Sequence, residues 1–500
     1  MSRAVVVVVT VALTGVGCAQ IAGIDSTSDK GRNADTVAIE RMSIGSTVVY
    51  SDLDLTGLEA SYLVESAASA TGFVRVTADD GAAPASGVWH ADLPDPAPVE
   101  LTLPDGPLPV PHLLTFASRA LITTVPVLEH PGRTPAPDGA MLTIPPVTLD
   151  RPLDPTDGFQ VVTVGSWTVR LFASSELPAA GAMQLGPLTY PFSTAASFSG
   201  RPELDRLTAD DAVFVLRYNG TALTGVAQGK SFDQTGNDTV EIAAMMPVAP
   251  DQAFDAVVNP NVLSSRYNNL RPSVSGLSMQ WRIAAAPAAA AAVDAGPSLQ
   301  SGTLMLADVG ISGVKYGNPF SGRGWSSMFV LTTSESRTFT PAGKTAQATL
   351  FAQVSQFLDL SAPPASPAGF EIKLDAGLPT TIVLDDHQLL TDGDMLPRPT
   401  RLVSLTFLTD QPATLFELQV LDLVPDAAGT VLVPQVVLAA AASEAKFKIP
   451  PETFVPGHTY TLRLFCSSGG FPALASGDLK MRSLPLSRSL FDSAVFTVTP

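Results

Sequence analysis

Hydrophobic and polar side chains alternate along much of this chain with a period of two. In TYTLRLF, Thr459–Phe465, Tyr460, Leu462 and Leu464 fall on one side of an extended backbone while Thr461 and Arg463 fall on the other, as a strand with one buried face requires. Comparable short runs recur: GFVRVTADD, VELTLPDG, AVFVLRYNG, TVEIAAMMP, LSMQWRIA, MFVLTTS, TAQATLFAQVS and the closing AVFTVTP. Clusters such as PDPAP, PDGPLPVP and HPGRTPAPDG stop them, because proline lacks the amide that a ladder uses and glycine admits turn conformations. No interval sustains a helical period. The alanine-rich residues 284–297 are interrupted by Pro287 and have no polar face, so they read as a loop or short helical linker. SAPPASPA, residues 361–368, reads as a linker between modules. The pattern predicts an all-β chain of tandem sandwich modules.

One stretch occurs twice. KFKIPPETF, Lys446–Phe454, followed by TYTLRLFCSS, Thr459–Ser468, is echoed by LTIPPVTL, Leu142–Leu149, followed after a longer loop by WTVRLFASS, Trp167–Ser175. GAMQL, Gly181–Leu185, then stands where GDLKM, Gly477–Met481, stands later, which closes one module near residue 200. The expected order is a β region over 41–200, a central module over 201–365 and a last module over 369–500.

The run FVPGHTYTLRL, from Phe454 to Leu464, resembles fibronectin type III and related immunoglobulin-like domains, in which Pro-Gly leads into a tyrosine and an alternating strand. The resemblance implies a β-sandwich with a tyrosine corner, Tyr460 bonding through its hydroxyl to upstream backbone while Pro456 and Gly457 shape the turn. In the earlier copy it implies Trp167 in place of the tyrosine, without a hydroxyl for that bond.

Length and charge narrow the function classes. At about 150 residues per domain, 500 residues make three domains with room for a fourth. Only 15% of residues are charged while proline and glycine number 43 and 38, which suits many strands and turns better than exposed helices. The net charge of −18 argues against nucleic acid, which needs a cationic surface, and against charge-driven docking on anionic lipid.

At the N-terminus, Arg3 precedes the apolar run Val5–Leu13, too short to span a bilayer, and Gly15 and Gly17 lead into Cys18. This arrangement resembles the lipobox of bacterial lipoproteins, although Gly15 stands where leucine is usual. The resemblance implies a signal peptide over 1–17, an acylated Cys18 as mature N-terminus and an outer-membrane or cell-surface location, with 18–40 as a flexible tether. An ordinary secretory signal is the alternative. Acylation of Cys18 leaves Cys466 without a partner for a disulfide.

Catalytic chemistry is sparse. The histidines at 90, 112, 130, 387 and 458 form no HExxH, and no G-x-S-x-G is present. CSSGG, residues 466–470, is the nearest approach to a nucleophile loop, but the earlier copy has Ala173 opposite Cys466, and strand parity places Cys466 with Leu464 as a buried small side chain. LDRPLDPTDG (149–158) and LDDHQLLTDGD (384–394) concentrate carboxylates that could gather a Ca²⁺ ion or simply make turns. Two distant acids could also serve a glycoside hydrolase. Trp89, Trp281 and Trp325 could stack on sugars or fill a sandwich core. The expectation is a lipid-anchored protein with a structural or binding role, no catalytic site, no cofactor and no metal. Its membrane contact is the N-terminal lipid, its further partner a glycan or a protein, with a glycan-binding module or a carboxylate-dependent hydrolase as alternatives.

Overall fold

The computed structural model describes most of residues 136–500, the longest segments outside it being 192–205, 268–276, 287–296, 361–369 and 472–482; before residue 136 it describes Ser69 and the backbone of short strands between Val9 and Leu121. Cys18, Trp167, Gly477–Met481 and the 361–368 linker lie outside the described residues. Within the segment read as a tether, Ala34–Ile39 is a strand paired antiparallel with Val9–Leu13.

The chain is all-β. Its largest feature is one continuous, mostly antiparallel sheet. From one edge inward, Thr168–Leu171 pairs with Asp157–Thr163, which pairs with Val213–Asn219, which pairs with Ala222–Gln228. A single bridge from Ala222 to Gln300 leads to Ser298–Leu304, and the ladder continues through Ser278–Ala286, Ser326–Phe339 and Ala348–Asp359. It then crosses to Leu486–Asp492, Thr459–Gly469, Leu415–Pro425 and Leu432–Ala442.

Three short sheets form the opposing layers. The first holds Met141–Ile144, Leu188–Pro191 and Asn237–Thr239; the second Gln252–Val257, Gly310–Tyr316 and Phe370–Glu371; the third Pro379–Leu384, His387–Gln388, Val403–Thr409 and Lys446–Ile449. Core clusters join each of them to the long sheet. Leu142 and Ile144 pack in one cluster with Phe159, Val161, Val213 and Val215. Phe254, Phe407 and Phe447 share another with Phe214, Phe329, Phe416 and Leu462. Face-to-face burial of this kind is what an alternating strand is built for, and it makes each unit a sandwich.

The long sheet runs across the expected boundaries. Asp157–Thr163 pairs along its whole length with Val213–Asn219, so the ladder crosses the boundary at 200/201. Ala348–Asp359 pairs with Leu486–Asp492, so the ladder also crosses the one at 365/369, and in a short sheet Ala256 pairs with Phe370 across it. The reason is visible in VFVLRYN. Val213 and Val215 face one cluster while Phe214 and Leu216 face the other, so the strand is a wall between two cores and belongs to both. A strand buried on both faces loses the alternation that would have marked it as shared.

Candidate functional site

Lys446–Ile449 runs in a short sheet, Pro451–Thr453 makes a 3₁₀ turn, and the chain re-enters the long sheet at Thr459. The turn between them is closed by Tyr460. Its ring is buried against Phe454 and Phe496, at centroid distances of 5.4 and 5.9 Å, and the Val455 N–H donates to the Tyr460 hydroxyl at 2.8 Å. Burial pushes the Tyr460 phenol up to about 12, so it stays neutral and able to keep that bond. Gly457 sits at φ 85°, where a side chain would be strained, and its N–H donates to Val498 O at 2.7 Å. The turn shaped by Pro456 and Gly457 is thereby tied to the C-terminal strand Phe496–Thr499.

His458 and Asp422 add a side-chain hydrogen bond. Asp422 stands directly across the sheet from Tyr460, and its Oδ2 lies 2.7 Å from His458 Nδ1. The imidazole stacks on the Tyr460 ring at 6.3 Å.

The earlier copy repeats this layout at residues that spacing alone did not single out. The first long-sheet strand after Pro145 and Pro146 is Asp157–Thr163, and its first core aromatic is Phe159, buried in the cluster that holds Leu142. Arg217 lies opposite Phe159, as Asp422 lies opposite Tyr460. Arg217 pairs with Asp157, two residues before Phe159, as Asp422 pairs with His458, two before Tyr460. Acid and base have exchanged strands. The signal that finds the match is PTDGFQV beside PGHTYTL, each with a turn glycine, an aromatic and an alternating strand.

Arg217 is fully buried and fully used. Its Nε and Nη2 donate to Asp157, its Nη1 to Asp150 Oδ1 at 2.9 Å and Arg151 O at 2.9 Å, and its Nη2 also to Pro152 O at 2.7 Å. Arg151 Nη2 reaches Asp157 Oδ1 at 2.8 Å, and the Asp154 amide donates to Asp157 Oδ2 at 2.7 Å. Burial alone would raise the Asp157 carboxyl, but these donors outweigh it and hold it at about 2.

The two acidic stretches thus supply fold contacts. Asp150 and Asp157 are held by arginine, while Asp154 accepts from Thr156 N–H and Oγ1 at 2.9 and 2.6 Å. In the second stretch Asp385 and Asp386, at φ 48° and 70°, form the two-residue hairpin loop between Leu384 and His387, a conformation short acidic side chains tolerate. Asp392 pairs with Arg337 and accepts the Val495 N–H at 3.0 Å.

Cys466 faces the core beside Leu464 and is fully buried. Burial pushes its thiol up to about 12, which leaves essentially no thiolate at neutral pH and no nucleophile. Ser468 Oγ donates to Pro412 O at 2.5 Å. Trp281 lies over Gly302, whose missing side chain leaves room for the indole, and Trp325 stacks on Phe320 at 5.2 Å; both are core residues.

No family model matches the chain, and no curated protein matches it. Among solved structures it is similar to the native conformation of Escherichia coli alpha-2-macroglobulin, at 10% identity and a TM-score of 0.12 over 100% of this chain and 28% of that one. It is similar also to a Salmonella alpha-2-macroglobulin mutant, at 11% identity and a TM-score of 0.12 over 98% of this chain and 29% of that one. The chain spans less than a third of either protein, and similarity at this level assigns neither fold nor activity.

Proposed function

We propose that this chain is a lipid-anchored protein of the bacterial outer membrane or cell surface with a structural or binding role. The observation that carries the proposal is the apolar run Val5–Leu13 ending in Gly-Val-Gly-Cys, which supplies a signal and an acylation site in the order that lipid attachment needs. Support for a structural or binding role comes from the residues with catalytic potential. Asp150, Asp157 and Asp392 are tied to arginines, and Cys466 is a core residue.

The test is metabolic labelling with palmitate. Wild-type protein takes up label and fractionates with membranes, whereas Cys18→Ser takes up none and is released. Unchanged labelling of Cys18→Ser would overturn the anchor.

A further inference from the structure

We propose that the anchored chain stands with its C-terminal module nearest the lipid and the module over 136–245 farthest from it, the reverse of chain order. The proposal rests on the lipid anchor argued above and names the part of the chain presented outward. Consecutive elements are usually neighbours in space, so chain order would set the strands after the tether against the module that begins near residue 136. The pairing differs. Glu59–Glu65, Phe73–Thr77, Val99–Leu103 and Val110–Leu114 form a ladder of their own. Val110–Leu114 then joins the long sheet parallel to Leu432–Ala442, with His112 beside Ala439 and Leu114 beside Ala441. Among the described residues, no strand pairing joins these N-terminal strands to residues 136–360.

Reach turns this pairing into an orientation. Ala34–Ile39 pairs with Val88–Asp92, and six residues separate Val88–Asp92 from Val99–Leu103. Cys18 precedes Ala34 by sixteen residues, and a coil of that length averages about 22 Å from end to end. The lipid is thereby tied to the Leu432–Ala442 end of the long sheet. Asp157–Thr163 lies toward the other end, ten strand-to-strand steps away, or about 50 Å along the sheet at about 4.8 Å a step. The two ends also have separate cores. The cluster of Leu142, Phe159 and Val215 holds no described residue from 369–500, and the strands from Ser278 to Asp359 lie between. A chain carrying −18 is not drawn onto anionic lipid, so the tether and not a charged face sets which end lies close.

Two experiments test the steps separately. The first is disulfide trapping in the full chain with Cys18→Ser and Cys466→Ala, read by peptide mapping without reductant. His112→Cys with Ala439→Cys, and Leu114→Cys with Ala441→Cys, each close a bond on mild oxidation, since residues paired across a ladder lie within disulfide reach. His112→Cys with Met246→Cys closes none. Absence of both expected bonds overturns the proposal without touching the anchor. The second uses the acylated chain with Cys466→Ala in phosphatidylcholine vesicles that carry an energy acceptor on their headgroups. Donor dyes are placed at the exposed positions Leu408→Cys and Val433→Cys of the last module, and at Met183→Cys and Met246→Cys of the first. Transfer is several-fold higher from Leu408 and Val433 than from Met183 and Met246. Equal transfer, as from a molecule lying flat, or the opposite order overturns the orientation and leaves the anchor standing. Wild type that takes up no palmitate removes the anchor and the orientation together, while the trapped bonds still report the pairing.

Discussion

Asp157 and Arg217, 60 residues apart, form in the earlier copy of the repeat the cross-strand pair that His458 and Asp422 form in the later one, with acid and base exchanged. Each pair flanks the core aromatic of its copy, Phe159 or Tyr460, and binds a strand entering the long sheet to its neighbour. The earlier pair is the more deeply buried, and removing one partner of a buried pair leaves the other as an uncompensated charge. Arg217→Met is therefore expected to destabilise the protein by about 3–5 kcal/mol in denaturant unfolding. Asp157→Leu combined with Arg217→Met should recover part of that loss. A double variant no more stable than Arg217→Met would show that packing, not charge, dominates the clamp.

The same carboxylate makes stability depend on pH. Asp157 is held at about 2 in the folded chain against an ordinary 3.8, so the folded state binds its proton more weakly than the unfolded one. Its contribution is complete above the ordinary value and is lost as pH falls through it toward 2, an effect of about 2 kcal/mol. Unfolding measured between pH 5 and pH 2 should show wild type losing about 2 kcal/mol more than Asp157→Asn. Parallel curves would rule the linkage out.

Tyr460 contributes a ring and a hydroxyl bond, and the two can be separated. Tyr460→Phe removes the Val455 N–H acceptor and should cost about 0.5–1.5 kcal/mol. Tyr460→Ala leaves a cavity against Phe454 and Phe496 and should cost about 3–5 kcal/mol. Phe159→Ala should match the second figure, while Phe159 has no hydroxyl bond to lose. Urea unfolding of the full chain is the measurement, and equal values for Tyr460→Phe and wild type would remove the hydroxyl from the account.

Alternation made the strands legible, and the parity of TYTLRLFCSS placed Tyr460, Leu462, Leu464 and Cys466 on the core side, where they lie. The counterpart of Tyr460 was not legible by aligning WTVRLF with TYTLRLF. An extra hairpin strand precedes Thr168–Leu171, so the corresponding strand is Asp157–Thr163. Charge partners were hidden for another reason. LDRPLDPTDG shows its acids, but Arg217 lies far along the chain inside AVFVLRYNG, and only strand pairing brings them together. The pairing across the expected module boundaries was hidden on the same ground, since composition marks where turns fall and not which strands a sheet shares.

Cys466 should be silent to reagents in the native state. In a Cys18→Ser background, a maleimide at pH 7 is expected to modify it only after denaturant is added, because the buried thiol lies at about 12. Fast labelling of the folded protein would contradict that burial. Cys466→Ala should fold, since a small apolar side chain still occupies that core position beside Leu464.

Cleavage within residues 361–368 tests the continuous sheet. A proline-rich segment of small residues is an expected protease site, but cutting it leaves Ala348–Asp359 hydrogen-bonded to Leu486–Asp492. Arg266 adds a second tie, with Nε 2.6 Å from Asp410 Oδ2, Nη1 donating to Leu374 O and Nη2 to Ala376 O. The two pieces should therefore co-elute after nicking and separate only in denaturant. Residues 369–500 expressed alone would lack the strand against Leu486–Asp492 and the Phe329, Leu331, Ala352 and Val354 part of the shared cluster. That fragment would expose a bare sheet edge and an open core, a template for aggregation more than an independent domain. It is expected to show no cooperative thermal transition, while the nicked complex unfolds close to the intact chain. A sharp transition from the isolated fragment at the temperature of the intact protein would mean that its own sandwich is sufficient, and that the ladder across 361–368 contributes little to stability.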